Sequence, residues 1–284
     1  ARTSSKNSQG RPSQEGRPSF SLRRIPVTQK RLFPVMHWAV PSFVIPDTVA
    51  GNVRFLKGRV PEVALCFFET EGCLAYTDAD LPEPGEAGSL RFHVHLPTDL
   101  IWGSGGNPEE AADAAFRDAF AVFSLAAYLK PRLAILHPPA AEGARASELL
   151  AAFLENWQSV SDVPLCLENT PESPLTDLDR KLFGPGGYRL CLDAGHLMGY
   201  HQEKLLDLPI LQSTTIIHWS APCGGDRHRS LTELSESERE TARKILSRTS
   251  EECTQLIEVF SWQGIEASLP VLRALWADVH GTAV

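Results

Sequence analysis

The sequence predicts an α/β fold of the (βα)8 TIM-barrel type, a closed parallel sheet with outer helices. Three observations carry that expectation. Eight short apolar runs alternate with amphipathic stretches between residues 37 and 279, the number of βα units that such a barrel needs. The runs are apolar almost throughout, as when helices cover one face of a sheet and a barrel core fills the other. The last six of them end on or next to His, His, Glu, Asp, His and Glu. An open doubly wound sheet is the alternative, because periodicity does not report closure. No G-x-G-x-x-G or Walker loop accompanies that alternative.

The elements follow in order. His37–Ile45 reads as a strand, and Asp47 then caps a helix running to Lys57. Glu62–Glu69 (EVALCFFE) is a second strand, followed by a loop with a short helix, and Ser89–Pro97 (SLRFHVHLP) is a third. Asn107, Pro108 and Glu110 supply an N-cap, a first-turn proline and a capping-box acid for a long helix to Lys130. Leu133–His137 is the fourth strand, with a helix over Ser147–Val160. Val163–Asn169 (VPLCLEN) is the fifth, with a short helix near 174–183. Tyr188–Asp193 (YRLCLD) is the sixth, followed by a brief helix around 197–207. Thr214–His218 is the seventh, and its helix spans roughly 235–250, where the acidic run ELSESERE suits a solvated helix start. Gln255–Phe260 is the eighth, and a last helix covers about 265–279.

Charge divides the chain. The net charge is −8, yet residues 1–31 carry eight basic residues against Glu15, a balance of +7 that leaves −15 for the rest. Residues 1–31 therefore read as a disordered basic tail, and 32–284 as a single catalytic barrel domain. An acidic body argues against coating a long polyanion, which requires clustered Lys and Arg. No apolar run reaches the roughly 18 residues of a membrane span, so no membrane partner is expected. The six cysteines show no C-x-x-C spacing, and Cys66, Cys166 and Cys191 sit in apolar runs as buried neutral thiols. Without an apolar leader segment, the expected location is the cytoplasm.

The strand ends carry the chemistry. His95, His137, His196, His218 and His228 lie at or just after strands, with Glu168, Asp193, Asp226 and Glu258 in the same places. All strand C-termini of a barrel converge on one face, so residues distant in sequence meet in one bowl. Carboxylates buried there without partners would cost several kcal/mol each, so a cation must compensate. Imidazole and carboxylate together suit zinc, manganese or iron. Asp193 and His196 are separated by one turn, and Asp226 and His228 are two apart behind Gly224 and Gly225. Nine candidates exceed the roughly four ligands of one zinc, so two or three ions are expected. Several ions together suit phosphoryl chemistry.

These residues resemble the xylose-isomerase-like barrel superfamily, and within it the endonuclease IV (apurinic endonuclease) branch. The resemblance runs from about residue 37 to 280. It rests on HLP at 95–97, HP at 137–138, LEN at 167–169, LDAGH at 192–196, His218, DRH at 226–228 and Glu258. It implies a trinuclear, usually zinc, cluster. His95, His137 and Glu168 would hold one ion, and Glu168, Asp193, His218 and Glu258 a second bridged by Glu168. His196, Asp226 and His228 would hold the third. It further implies phosphodiester hydrolysis by a metal-bound hydroxide, with Glu258 and Glu168 as catalytic residues.

The DNA-repair members carry a tyrosine after HLP, where this chain has Thr98-Asp99. The loop at 70–84 is acidic where a duplex would want Lys or Arg. PSFVIPDTVAGNVRFLKGRV and EVALCFFETEGCLAYT are similar instead to the cobamide-remodelling phosphodiesterases of the superfamily. That likeness implies the nucleotide loop of a cobamide as substrate. Abasic DNA and a sugar isomerisation or epimerisation are the alternatives, and a non-catalytic metal- or corrinoid-binding protein is a further one.

Other residues fill supporting roles. Arg227 and Arg229 are candidates to clamp a phosphate, Trp102, Trp219 and Trp262 to stack on a flat group, and Glu69 to bind substrate. His93 shares a strand face with His95 and reads as an interior polar spacer. His37, His201 and His280 read as surface or packing residues.

Overall fold

A computed structural model describes residues 35–223 and 227–281. The basic segment expected over 1–31 lies outside the described residues, as does Asp226. The strands are β1 (Trp38–Pro41), β2 (Glu62–Cys66), β3 (Arg91–His95), β4 (Ala134–Leu136), β5 (Leu165–Glu168), β6 (Arg189–Asp193), β7 (Thr214–Trp219) and β8 (Thr254–Ile257). They pair in parallel in chain order and β8 returns to β1, closing the barrel. The open-sheet alternative is therefore excluded, and the TIM-barrel expectation stands.

Around the barrel lie α1 (Val49–Leu56), α2 (Thr70–Leu74), α3 (Pro108–Ser124), α4 (Gly143–Val160), α5 (Ala194–Gly199), α6 (Glu236–Arg248) and α7 (Trp262–His280). Five of these seven helices, all but α2 and α4, start at a side chain that accepts from an otherwise unpaired first-turn amide. Thr48, not Asp47, caps α1 by accepting from Gly51 N, while Asp47 accepts from Thr48 N. Asn107 caps α3 through Glu109 N, with Pro108 and Glu110 in its first turn as expected. Ser235 and Glu238 form a full capping box on α6. The helix expected to reach Lys130 ends at Ser124 and tightens into a 3-10 turn at Ala127–Leu129, closed by Lys130 at φ 54°. Two expected helices are only partly realised. Near 174–183 there is a single 3-10 turn, Arg180–Leu182, and the 197–207 helix splits into α5 and a 3-10 turn at Glu203–Asp207.

Alternation along the strands sorts every side chain into one of two cores. Val63, Leu65, Phe92, Val94, Leu167, Leu190, Leu192 and Ile217 pack outward under the helices. Ala39, Ala64, Cys66, Leu133, Ile135, Cys166, Cys191, Ile216 and Leu256 fill the barrel. The N-terminal end of the barrel is closed by Glu62, which is fully buried. Its carboxylate accepts from His93 Nδ1 at 2.7 Å and Arg132 Nε at 2.8 Å, and pairs with Arg91 Nε at 3.3 Å. Arg132 also reaches Thr254 Oγ1 on β8, tying the first turn of the barrel to its last. His93 is thus the interior polar residue that its strand face implied.

Burial opposes charge on Glu62, but His93 and Arg132 override it and hold the carboxyl down at about 2. Burial pushes His93 down, so its neutral ring donates to the Glu62 carboxylate rather than forming an ion pair. A folded-state value depressed below the unfolded one stabilises fully above about pH 4.5 and is lost as pH falls toward 2. Glu62→Gln is accordingly expected to lose about 3 kcal/mol of unfolding free energy at pH 7 and to flatten the decline between pH 4.5 and 2. Urea unfolding across that window checks both.

Candidate metal centre

The inward parity that places Ile135, Cys166, Cys191, Ile216 and Leu256 in the barrel places its next members two residues further on. These are His137, Glu168, Asp193, His218 and Glu258, with His95 on β3 in the same layer. Register fixes the neighbours, since His218 faces Asp193 on one side and Leu256 on the other, and Glu168 faces Cys191. His95, Glu168, Asp193, His218 and Glu258 are all buried to within 3% of full burial, while His137 stays a quarter exposed at the rim.

Glu168 is the common member. Its Oε2 lies 3.2 Å from His95 Nε2, 3.5 Å from His218 Nδ1 and 3.6 Å from His137 Nε2, and its Oε1 lies 3.8 Å from His196 Nδ1. Two groups offer ligand atoms that all lie within 4.8 Å of one another: His95, His137 and Glu168, and Glu168, Asp193, His218 and Glu258. Glu168, Cys191 and His218 make a third group, which sequence reading missed by taking Cys191 only as core. The Cys191 sulfur lies 3.8 Å from Glu168 Oε2, and burial pushes its thiol well up, so it stays protonated unless an ion displaces the proton. His196 and His228 stand beside these groups, their ring centres 6.3 Å apart. The third ion of the resemblance needs Asp226, which lies outside the described residues.

Whether these residues fit a cation can be decided from their hydrogen bonds. His95 Nδ1 is 2.9 Å from the Leu96 carbonyl, which can only accept, so Nδ1 carries the hydrogen. In the neutral ring Nε2 then turns a lone pair toward the Glu168 carboxylate, an arrangement that repels unless a proton or metal ion lies between. His218 Nδ1 and Glu258 Oε2 are 2.9 Å apart, yet neither has a partner in hydrogen-bond geometry, and neither does Asp193 Oδ2. Buried acceptors that converge without bonding each other are what a divalent ion satisfies. The donor set of imidazoles and carboxylates fits zinc, manganese or iron.

The electrostatics agree. Burial opposes charge on Glu168, yet His218 and His137 hold its carboxyl well below the usual range. Burial likewise opposes charge on Glu258, and His218 and His228 override it downward. Asp193 goes the other way, pushed up to about 6 by burial and by Glu168 and Glu258, against the pull of His196. Burial works against charge on His218, but Cys191, Glu258 and Glu168 around it raise the imidazole well above its ordinary value.

Residues beyond the ligand atoms hold this geometry. Asn169 accepts from Asp193 N at 2.8 Å and donates to Asp193 O and to Gln202 Oε1. Its own carbonyl accepts from His196 Nδ1 at 2.9 Å, so Nε2 is the nitrogen of the neutral ring that could ligate an ion. Asp193 Oδ1 caps α5 through His196 N at 2.5 Å. A Cβ on Gly195 of LDAGH would press on Ser220 Oγ and crowd Asp193 Oδ1, so the glycine leaves room for both. Phe68 and Phe260 were also missed. They meet edge to face at 5.8 Å and pack on His95 and His228 at 5.0 and 4.9 Å. Together with the ligands they line a cavity of about 270 Å³.

Several expected binding residues stand elsewhere. Trp219 is fully buried, its indole N–H donating to Gln255 Oε1, and has no surface to offer a ligand. Trp262 opens α7 with its ring edge-on to Phe55 of α1, outside the barrel. Arg229 is committed to Glu233 at 2.9 Å and to the Pro222 carbonyl. Arg227 is exposed. Glu69 starts α2 and lines a neighbouring cleft rather than the ligand cavity. Trp102 lies against Phe153 and lines a trough that includes His137.

No family model and no curated protein matches the sequence. Solved structures do resemble the fold. A D-tagatose 3-epimerase-like protein is 14% identical with a TM-score of 0.60, covering 86% of this chain and 98% of its own. A Thermus thermophilus protein soaked with zinc chloride is 20% identical with a TM-score of 0.57, covering 86% and 98%. Endonuclease IV from Thermus thermophilus is 17% identical with a TM-score of 0.57, covering 85% and 99%. What these structures share with the chain is the TIM-barrel fold, and others that resemble it are described as xylose isomerase domain proteins. Among the described residues no helix is long and apolar enough to cross a membrane.

Protons compete with ions at this cluster, because Asp193 takes up its proton near 6 and His218 holds one above its ordinary range. Ion stabilisation therefore weakens as pH falls. Chelation is expected to lower Tm by about 5–10 °C at pH 7.5 and by much less at pH 5, read by scanning fluorimetry. Asn169→Ala is expected to weaken divalent-ion affinity by about 10–100-fold, measured by competition with a chromophoric chelator.

Proposed function

We propose that this barrel is a metal-dependent phosphodiesterase whose substrate is a small molecule, the nucleotide loop of a cobamide being the one that the sequence resemblance favours. The observation that carries the reading is the bridging position of Glu168, whose carboxylate belongs to both ligand groups at the mouth of the barrel. Adjacent ion sites that share a carboxylate suit an in-line displacement, in which attacking and leaving oxygens both need charge compensation. His95, His137 and Glu168 would hold one ion, Glu168, Asp193, His218 and Glu258 a second, and His196, His228 and Asp226 a third. Such ions neutralise phosphate charge and acidify water, so no side-chain nucleophile is needed.

The chain's own residues supply the rest. Glu258, held ionised by His218 and His228, accepts a hydrogen bond from the attacking water and orients it. His95 and His196 are locked in single tautomers by the Leu96 and Asn169 carbonyls. Phe68 and Phe260 keep bulk water from one wall of the cavity. The acidic loop with Glu71, Asp78, Asp80 and Glu83 disfavours a duplex backbone. Abasic DNA and a ketose remain the alternatives that a substrate test separates.

Purified protein is expected to carry at least two transition ions per chain by elemental analysis, and one or none removes the multi-ion reading. Incubation with an adenosylcobamide, abasic duplex DNA and a ketose, with product analysis, is expected to show phosphodiester cleavage of the cobamide. Cleavage of abasic DNA alone overturns the substrate. Glu258→Gln is expected to keep the fold and lower kcat by at least about 100-fold.

A further inference from the structure

The mouth of the barrel holds a second cavity that the ligand cluster does not account for. It encloses about 790 Å³ between the loops that follow β1, β2 and β8, and Phe43, Ile45, Phe68, Tyr76 and Phe260 line it. Phe68 and Phe260 also line the ligand cavity, so the two spaces share one aromatic wall. Phe43 and Phe260 each remain 37% exposed, so both rings offer apolar contact area to a ligand. Glu69 is the one charged side chain lining the cleft among the described residues, and it starts α2 without a side-chain capping bond.

We propose that this cleft seats a planar aromatic group of the substrate, one that turns a positive charge or N–H donor toward Glu69, while the phosphodiester lies on the neighbouring ligand cluster. The proposal deepens the phosphodiesterase reading and rests on it for the second half of the ligand. Ring faces and edges around an elongated apolar space favour a flat aromatic group over a sugar, whose hydroxyls would find few partners there. A single carboxylate at the rim attracts a cationic or donor edge and repels an anion.

The test uses protein stripped of divalent ions, so that no turnover is involved. It is titrated with 1-naphthylmethylammonium and with 1-naphthalenesulfonate, followed by ligand-observed NMR. The ammonium probe is expected to bind at least about tenfold more tightly than the sulfonate. Phe43→Ala and Phe260→Ala replace half-exposed rings and are each expected to weaken it about five- to tenfold. Glu69→Gln is expected to keep ring binding and erase the preference for the cation. Equal affinity for both probes, binding indifferent to Phe43→Ala, or no binding overturns the proposal. Because metal and phosphodiester are absent, such a failure leaves the phosphodiesterase reading standing. Conversely, naphthyl binding without hydrolysis in the substrate panel sinks that reading and leaves the cleft an aromatic-cation site.

Discussion

The chemistry of this barrel depends on one constraint, the inward parity of a closed parallel sheet. Once the strands close, alternation leaves no choice about which residues face the axis. Here it brings His95, His137, Glu168, Asp193, His218 and Glu258 into one layer over a floor of Ile135, Cys166, Cys191, Ile216 and Leu256. Three carboxylates share this buried layer, and the rise of Asp193 to about 6 registers its burial first and the repulsion of Glu168 and Glu258 after it. The His218 imidazole, held well above its ordinary value, offsets part of it. The layer is therefore poised for an ion rather than for a self-contained salt-bridge network.

The opposite end of the barrel answers a similar problem differently. Glu62 is as deeply buried as Glu168, yet His93, Arg91 and Arg132 surround it. A buried charge with dedicated donors serves stability, whereas one whose neighbours are other acceptors is free to bind something. The contrast between two buried glutamates of one barrel separates structural from functional use of the same side chain. Around the ligands, Asn169 ties the end of β5 to Asp193 on β6 and to Gln202.

The loops then decide what the layer can see. Those after β1, β2 and β8 build an aromatic-walled cleft against one side of the ligand cavity, and those after β3 and β4 a trough containing His137. Acidic residues predominate in the loop at 70–84. The ligand layer therefore opens beside an acidic loop, which discourages a long polyanion.

Much of this was legible in the chain itself. The eight apolar runs, Asn107-Pro108, and the donors closing six successive runs are local signals, and local signals survive without coordinates because alternation and turn chemistry act over a few residues. The aromatic roles were not legible. Trp219 and Trp262 read as rim rings, but one is buried against Gln255 and the other lies on α1, while Phe68 and Phe260 form the wall. Cys191 read as core and is that, yet strand pairing also sets its sulfur beside Glu168. The sequence determined by itself which residues could reach the mouth of a barrel. Only the tertiary structure decided which of them meet, because closure and loop placement depend on contacts between residues tens to hundreds of positions apart.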